Sequence, residues 1–275
     1  MGEKDLIALE QYDIAVLRSW KGRDAMLCET NRGLLLLKEY SGTEEHIEAE
    51  DWLLDRLSER GVKTDAYVRN KDGKVVTTTV DNRNYCLKKW PGGEEIDIKN
   101  AAGCNLAVKT LAMLHMNMEK IEVPEGIAFT QGRSFSEDIR RHHKELKHVR
   151  GFIRAKRRKS DFELKMLECF DLFYGQGEKT LEYMNSGNML VGGETEPDLC
   201  KKTLCHGSYN QHNILVVDRG VFVTNFDRAA YNSRMTDLYL FMRKCMEKQS
   251  WDLAAVSGIG SGVCCGSGKK SECCG

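Results

Sequence analysis

The chain has 275 residues, of which 41% are hydrophobic and 30% charged, as in a globular protein with one large domain or two lobes. Its 41 basic residues equal its 41 acidic residues, so the net charge favours no nucleic-acid partner. No apolar stretch approaches the roughly 18–20 residues that a membrane span requires, and the first residues lack the pattern of a signal peptide. We therefore expect synthesis in the cytoplasm and no membrane span.

The beginning of the chain predicts a β-rich lobe that contains one helix. Strand-length segments lie at 14–20, 25–30 and 33–40, and again at 75–80 and 84–90. Between these two groups, residues 44–61 have the spacing of an amphipathic helix, with Glu50 on the same stripe as the leucines. Pro91 opens a short Gly-containing linker. We therefore assign residues 1–90 to the first lobe.

The remainder of the chain is predicted to be mainly helical. Helical spacing covers 101–118, much of 135–184 and 236–248, with strand-like segments between residues 203 and 227. This order predicts an α+β fold of two lobes rather than an alternating βαβ domain. The second lobe is assigned to residues 91–253, and the Gly-, Ser- and Cys-rich residues 254–275 are predicted to be a flexible tail.

Lys38 and Glu50 form a first candidate constellation. A lysine at the end of an apolar strand can hold nucleotide phosphates, and a glutamate on the next helix can orient it through an ion pair. Glu48 is the fallback partner for Lys38. The structural alternative is a lysine that extends from a strand end into solvent, with a glutamate at the edge of a helix.

The second constellation is the stretch HGSYNQHN, from His206 to Asn213, followed by the strand-like segment VFVTNFD. It resembles the HGDxxxxN catalytic loop and the metal-binding Asp motif of aminoglycoside and choline phosphotransferases. His115, in LAMLH, and Asp237, in Asp-Leu, occur in the order of that superfamily. The wording CHGSYNQHNIL is most similar to its CotS-like spore coat branch. The resemblance covers residues 14–253 and implies a protein-kinase-like two-lobe fold.

The resemblance also implies ATP and magnesium, with the nucleotide bound by the first lobe. The implied nucleotide-binding residues are Lys38, Glu50, Asn213, Asn225 and Asp227. The implied catalytic-loop residues are His206, Ser208 and Asn213, and the implied magnesium ligands are Asn213 and Asn225. His206 is expected to anchor the loop, in preference to binding a metal with Cys205 and His212.

The chain departs from the family pattern at both catalytic aspartates. Ser208 stands where the loop has its Asp, and a neutral hydroxyl cannot act as a carboxylate base. Asn225 occupies the position of the metal-binding Asp in the family pattern, and magnesium is a hard cation that prefers charged oxygen ligands. We therefore expect a catalytically impaired kinase fold, a pseudokinase.

Asp227 leaves a second hypothesis open. It lies two residues from Asn225, on the same side of an extended strand, so it is a candidate substitute ligand. The alternative is a carboxylate that pairs with Arg228 or Arg234. The first hypothesis for function is a coat assembly or binding module, and the second is an active ATP-dependent small-molecule hydroxyl kinase that uses Asp227.

The resemblance implies a location in the mother-cell cytoplasm and then in the spore coat, with other coat proteins as partners. The basic segment Arg154–Lys159 is expected to be a solvated helix face balanced by Asp161 and Glu163. The tail cysteines Cys264, Cys265, Cys273 and Cys274 lack the usual zinc spacing. An altered end and a crosslinking segment both remain open for this tail.

Overall fold

The computed structural model describes residues 3–132, 135–185, 190–191, 194–195 and 202–251. The described residues within 1–130 and 203–275 form one compact unit, and those within 131–202 form another. The predicted lobe boundaries at residues 90 and 253 therefore stay predictions. The tail cysteines lie outside the described residues, as do the expectations attached to them.

An antiparallel sheet follows the 3₁₀ helix Glu3–Gln11. Its strands are β1 (Val16–Lys21), β2 (Ala25–Thr30), β3 (Gly33–Glu39), β4 (Ala66–Val68), β5 (Val76–Thr78) and β6 (Asn84–Lys89). The spatial order is β1-β2-β3-β6-β4, and β5 also pairs with β6. The predicted α+β class, with a β-rich beginning, is confirmed.

The two faces of the sheet bury different side chains because residues alternate along a strand. Leu35, Leu37 and Leu87 belong to a core cluster that includes residues of the 3₁₀ helix. On the opposite face, Lys38 stands beside Cys86 and Leu36 beside Lys88 in the β3–β6 register. Lys38 and Lys88 therefore lie on the same face, two positions apart along the ladder.

Helix α1 (Glu44–Glu59) covers that second face. Thr43 caps it by accepting a hydrogen bond from the backbone N–H of His46, and two glutamates in the first turn favour the helix dipole. Ile47 packs with Cys86 in a small cluster. The buried stripe brings Glu50 to the sheet together with leucines 53, 54 and 57. The helix ends before Gly61, whose φ of 79° an L side chain would resist.

The remaining elements of the first unit pack around a hydrophobic core to which α1 also contributes. Its elements are β7 (Glu94–Glu95), α2 (Ala101–Met118), β10 (Lys202–Cys205), β11 (Ile214–Val217), β12 (Gly220–Val223), β13 (Ala230–Ser233) and α5 (Arg234–Lys248). Strand β11 pairs with β12 and β7, and β10 pairs with β13. The leucines of α1 join Tyr209, Phe226 and Phe241 in one buried cluster. The segments around the loop at 206–213 are thus packed into the same core as α1.

The second unit contains helices α3 (Phe135–Ala155) and α4 (Asp161–Asn185) and the short strands β8 (Leu190–Val191) and β9 (Glu194–Thr195). Ile153 and Phe170 are buried between the helices. The basic segment was expected to be a helix face, but α3 ends at Ala155 and most of the segment lies in the loop before α4. The expected balance by acidic neighbours is present, because Lys156 pairs with Glu163 at 2.5 Å. Among the described residues, no helix has the length and apolar character needed to cross a membrane.

Replacing Leu53 by Ala is expected to destabilise the first unit by about 2–5 kcal/mol, because Leu53 is fully buried and its removal leaves a cavity. Leu106→Ala is the matched control, since Leu106 also lies on a helix of this unit but is 40% exposed. Urea unfolding monitored by circular dichroism measures both variants. Equal losses in the two variants would contradict the assigned core.

Candidate active site

Lys88 is a buried cation near the end of β6. Its Nζ donates to Glu50 Oε1 at 2.8 Å and to Asp65 Oδ2 at 3.0 Å, and all three side chains are at most 3% exposed. Burial opposes the charged ammonium, but Asp65 and Glu50 outweigh that effect and hold the pKa of Lys88 well above its usual range. The three residues form a buried ion triad between the sheet, α1 and the segment before β4.

The predicted Lys38–Glu50 ion pair is wrong for this structure. Glu50 bonds Lys88 instead, and the Nζ of Lys38 lies 3.5 Å from the Asp227 carboxylate. The fallback partner, Glu48, bonds Arg69 at 2.9 Å. The physical reason is the register, which puts Lys88 on the same sheet face as Lys38 and under Glu50. The assignment of Lys38 and Glu50 to nucleotide binding stays a prediction.

Asp227 is positioned from two sides. The Nε2 of His46, in the first turn of α1, donates to its backbone carbonyl at 2.8 Å, while its carboxylate faces Lys38. Its predicted alternative partners were Arg228 and Arg234, but Arg234 lies 3.4 Å from Glu119. Asp227 therefore contributes a partly exposed carboxylate beside the one lysine that the clamp hypothesis names.

The loop at 206–213 is held in place by Asp237, at the start of α5. Its carboxylate accepts hydrogen bonds from the backbone N–H groups of His206 (2.9 Å) and Gly207 (2.8 Å), and from His115 Nε2 (2.9 Å). Burial opposes the charged form, but these donors outweigh it and lower the pKa of Asp237. Gly207 has φ of 77°, and an added Cβ would collide with the Arg228 carbonyl, so this turn requires glycine.

His206 is fully buried and oriented by its neighbours. Its Nδ1 accepts from the Ser208 backbone N–H at 3.2 Å, so Nε2 carries the proton and donates to the Thr224 carbonyl at 3.0 Å. Burial lowers the pKa of the His206 imidazole, against the opposing influence of Asp237. The structure thus places His206 as a neutral link between the loop and the segment that carries Asn225.

Ser208, Asn213 and Asn225 are brought together as predicted from the motif order. The Nδ2 of Asn225 donates to Oδ1 of Asn213 at 2.8 Å, and Nδ2 of Asn213 donates to the Ser208 backbone carbonyl at 2.9 Å. Asn225 has φ of 61°, a left-handed conformation that Asn and Asp adopt more readily than most residues. Two neutral hydrogen bonds thus connect the three residues in a row.

This arrangement does not fit a kinase-type magnesium site. The two amide side chains bond each other, and neither carries the charge that favours magnesium over water. The nearby carboxylate, Asp227, already faces Lys38. No step that depends on magnesium is therefore assigned to these residues.

The described residues contain one group of three side chains close enough to share a metal, namely His115, Cys205 and Asp237. Asp237 already accepts three hydrogen bonds there. Burial raises the pKa of the Cys205 thiol to about 12, which keeps it protonated at neutral pH and a poor metal ligand. We interpret the group as the hydrogen-bonded support of the loop.

A family model assigns the chain to a known protein family. A family model described as spore coat putative kinase YutH matches residues 5–255. The chain belongs to this family. The predicted CotS-like spore coat resemblance is thereby confirmed. No curated protein sequence matches the chain significantly.

Solved structures support the same fold. An aminoglycoside phosphotransferase from Alicyclobacillus acidocaldarius is similar with a TM-score of 0.75 and 16% identity, over 94% of this chain and 76% of that one. A spectinomycin phosphotransferase solved with ADP and spectinomycin gives 0.65 and 12%, over 98% and 80%. An amicoumacin kinase solved with AMP-PNP, Ca²⁺ and Ami gives 0.60 and 13%, over 97% and 77%. These similarities confirm the kinase-like fold of this spore coat family member.

The sequence patterns missed Lys88 and Asp65. Lys88 lies in NYCLKKW beside a second lysine, and two lysines at the end of a strand normally extend their ammonium groups into solvent. A signal was nevertheless present, because Lys88 shares its side of the strand with the apolar Cys86. The pattern gave no signal for Asp65, which lies in a loop between helix and strand.

Lys88→Met is expected to destabilise the protein by roughly 3–5 kcal/mol, because it leaves Glu50 and Asp65 buried without a counter-charge. Lys89→Met is the matched control, since Lys89 is the next residue of β6 and is exposed. Chemical denaturation reports both. A loss below about 1 kcal/mol in Lys88→Met would mean that the triad is not buried as described.

The pH dependence of stability should contain a contribution from His206. The pKa of His206 is lowered in the folded chain, whereas in the unfolded chain it is near 6.5. Slightly below pH 6.5 the imidazole is therefore protonated more in the unfolded chain than in the folded chain. The contribution is complete above about pH 6.5 and is lost as pH falls below it, at up to about 1.4 kcal/mol per pH unit. His206→Gln should flatten this slope, whereas exposed His148→Gln should not. Identical slopes in both variants would argue against a buried neutral imidazole.

Proposed function

We propose that this chain is a spore coat protein whose kinase-like fold has lost efficient phosphoryl transfer and acts as an assembly or binding module. It is made in the mother-cell cytoplasm and then joins other coat proteins on the spore. The family membership supports the coat role. The single observation that supports impaired catalysis is the hydrogen bond from Asn225 Nδ2 to Asn213 Oδ1, which occupies the oxygen of one of the two amides at the positions matched to magnesium ligands.

The carboxylates that are missing at positions 208 and 225 would serve two different requirements of phosphoryl transfer, the base and the metal ligand. Ser208 offers a hydroxyl that cannot act as a carboxylate base toward a substrate hydroxyl. Asn225 offers a neutral oxygen where charge between phosphates must be balanced. Removal of one transition-state-stabilising group commonly lowers kcat by about 10²–10³-fold, and two such losses affect the same step.

A second candidate is an active ATP-dependent kinase of small-molecule hydroxyl groups. The observation that favours it is the position of Asp227, held by His46 and 3.5 Å from Lys38. In this hypothesis Asp227 supplies the charge that Asn225 lacks, and Lys38 contacts nucleotide phosphates. The solved relatives in complex with ADP or AMP-PNP show that nucleotides bind to proteins of this fold.

A phosphate-transfer assay separates the two candidates. Radiolabelled ATP is offered with sugars, choline and aminoglycosides as acceptors, and transfer by this chain is expected to stay at background. The spectinomycin phosphotransferase with spectinomycin serves as the positive control. Turnover of roughly 1–100 per second that disappears in Asp227→Asn would overturn the proposal in favour of the kinase.

The double variant Ser208→Asp with Asn225→Asp tests whether the scaffold is intact. Both aspartates restore charged oxygens, and the left-handed backbone at Asn225 accepts Asp without added strain. We expect a magnesium-dependent thermal shift with ATP in the double variant and a smaller shift in either single variant, because the two groups act together.

Ser208→Asn with wild-type Asn225 is the neutral control for the added bulk. It should show no magnesium-dependent shift. An equally large magnesium–ATP shift in the unmodified chain would contradict the proposed loss of the metal site. If neither the double variant nor the unmodified chain shifts, the predicted nucleotide site does not bind ATP, and only the assembly or binding role is supported.

A further inference from the structure

Helices α3 and α4 form a hairpin whose line of contact is marked by four side chains. His143 stacks on Tyr174 with ring centroids 4.2 Å apart. The guanidinium carbon of Arg150 lies 4.1 Å from the centroid of the Phe170 ring. The later residue on α3 meets the earlier residue on α4, so the two helices are antiparallel. These four residues therefore show which side each helix turns toward the other.

One side of the hairpin is apolar. Val149 on α3 and Phe173 on α4 each come one position before a contact residue. In an antiparallel pair these positions lie on the same side, because reversing a helix reverses both its sense of rotation and its contact direction. Helical spacing of three, four and seven residues extends this side to Ile139, His142, Leu146, Phe162, Met166 and Cys169.

The opposite side of the hairpin is charged. Lys144 on α3 and Asp171 on α4 each come one position after a contact residue, and Lys147 and Glu178 continue this side at helical spacing. Leu164, one heptad before Asp171, is an apolar residue on this charged side. The hairpin is thus amphipathic, with its large apolar residues concentrated on the other side.

The apolar side is large and open to solvent. Phe162 is 76% exposed and Phe173 60%, and Val149 is exposed as well. Soluble proteins rarely leave a contiguous apolar patch of more than a few hundred Å² in water. The helices have 21 and 25 residues, and side by side such helices present a face of about 30 Å by 20 Å. This size is comparable with the roughly 800 Å² that each partner buries in a stable interface.

This side carries both a groove and side chains that can fill it. An open groove of about 390 Å³ runs along α3, and a cavity of about 150 Å³ already accepts benzene. The groove is lined by Ile139, His142, His143, Glu145, Leu146 and Val149. The exposed rings of Phe162 and Phe173 lie on α4 of the same hairpin. Two copies related by a two-fold axis can therefore place phenylalanines in each other's grooves.

The charges that flank the apolar side are balanced within one copy. On α3, Arg141 pairs with Asp138 at 3.4 Å and with Glu145 at 3.2 Å. On α4, Lys165 pairs with Glu168 at 2.9 Å. A second copy can approach such a balanced rim without strong like-charge repulsion. An anionic membrane or a nucleic acid favours a rim rich in unpaired basic residues, which these pairs do not provide.

We propose that the apolar side of the α3–α4 hairpin is an interface with a second copy of this chain, in which two hairpins form a four-helix bundle. A two-fold axis parallel to the helices places α3 of each copy against α4 of the other. Phe173 adjoins Tyr174, which is level with His143 in its own copy. Phe173 of one copy therefore comes level with the α3 groove of the other. This interface lies within the second unit and does not depend on whether the chain transfers phosphate.

Sedimentation equilibrium of the full chain, with a thiol reductant present to exclude disulfides, measures the association. We expect a reversible monomer–dimer equilibrium with a Kd in the micromolar range or tighter. Phe173→Glu should weaken the dimer by about tenfold or more, because it places a charge in an apolar groove. Leu164→Glu is the matched control, since Leu164 is 53% exposed on the charged side of the same helix, and it should leave the Kd unchanged.

A complementary pair of variants tests the arrangement of α3 against α4. Val149→Lys in the groove should also weaken self-association, because two grooves then receive a lysine beside an apolar ring. An equimolar mixture of Val149→Lys and Phe173→Glu should associate about tenfold more tightly than either variant with itself. In the mixed dimer one contact joins opposite charges and the other contact is unmodified. Both residues are exposed, so both variants should fold, which their thermal transitions check.

Several outcomes would overturn the proposal. One is a chain that stays monomeric at every concentration, and another is a dimer that Phe173→Glu leaves intact. A mixture that associates no better than its components would contradict the pairing of α3 with α4. Binding to phosphatidylglycerol vesicles that Phe173→Glu abolishes, without dimer formation, would assign this side to a membrane surface instead. Phosphate transfer is measured separately, so turnover refutes only the proposed function and a monomer refutes only the interface.

Discussion

A lysine ammonium in the dry interior of a sheet is stable only when carboxylates surround it. Lys88 meets this condition with Glu50 from α1 and Asp65 from the segment before β4. The ion triad therefore sets how α1 lies on the sheet, because moving the helix would separate charges that water cannot reach. Asp65 Oδ2 also lies 3.4 Å from the Asn225 backbone N–H, so the same carboxylate connects the sheet with the loop segments.

The triad has a consequence for the predicted pairing of Lys38 with Glu50. In a kinase the helix glutamate orients the strand lysine toward phosphates, but here one oxygen of Glu50 is engaged by Lys88. Lys38 is left with Asp227, which comes from the far end of the strand-like segment after the loop. The two residues predicted to form a clamp are thus present but do not pair with each other, because Lys88 in β6 takes the place of Lys38 beside Glu50.

The fold could be predicted well from the sequence because its signals are local. The spacing of leucines in α1, the Thr43 cap and the strand-length run before Lys38 each define one element without reference to the others. The order of the loop motifs predicted that Ser208, Asn213 and Asn225 lie close together, and hydrogen bonds connect these three residues in the structure.

The pairing of charges could not be predicted in the same way. Lys38 and Lys88 lie on one face of the sheet, and only the antiparallel register decides which of them is under Glu50. Register depends on contacts between distant segments, which a single sequence does not specify. The contact of Asp65 with Lys88 could not be predicted either, because Asp65 lies in a loop, where the sequence has no periodic pattern that shows which way a side chain faces.

The loss of the two aspartates and the retention of the loop are physically consistent. The loop is shaped by Asp237, which accepts the backbone N–H groups of His206 and Gly207, and this contact needs neither a metal nor a catalytic carboxylate. Two aspartates at positions 208 and 225 would place like charges close to Asn213, and a cation would be needed to offset them. With Ser208 and Asn225, neutral hydrogen bonds instead connect Asn225 to Asn213 and Asn213 to the Ser208 carbonyl. The hydrogen bonds of the loop thus need no metal ion, which is consistent with the proposed binding or assembly role in the coat.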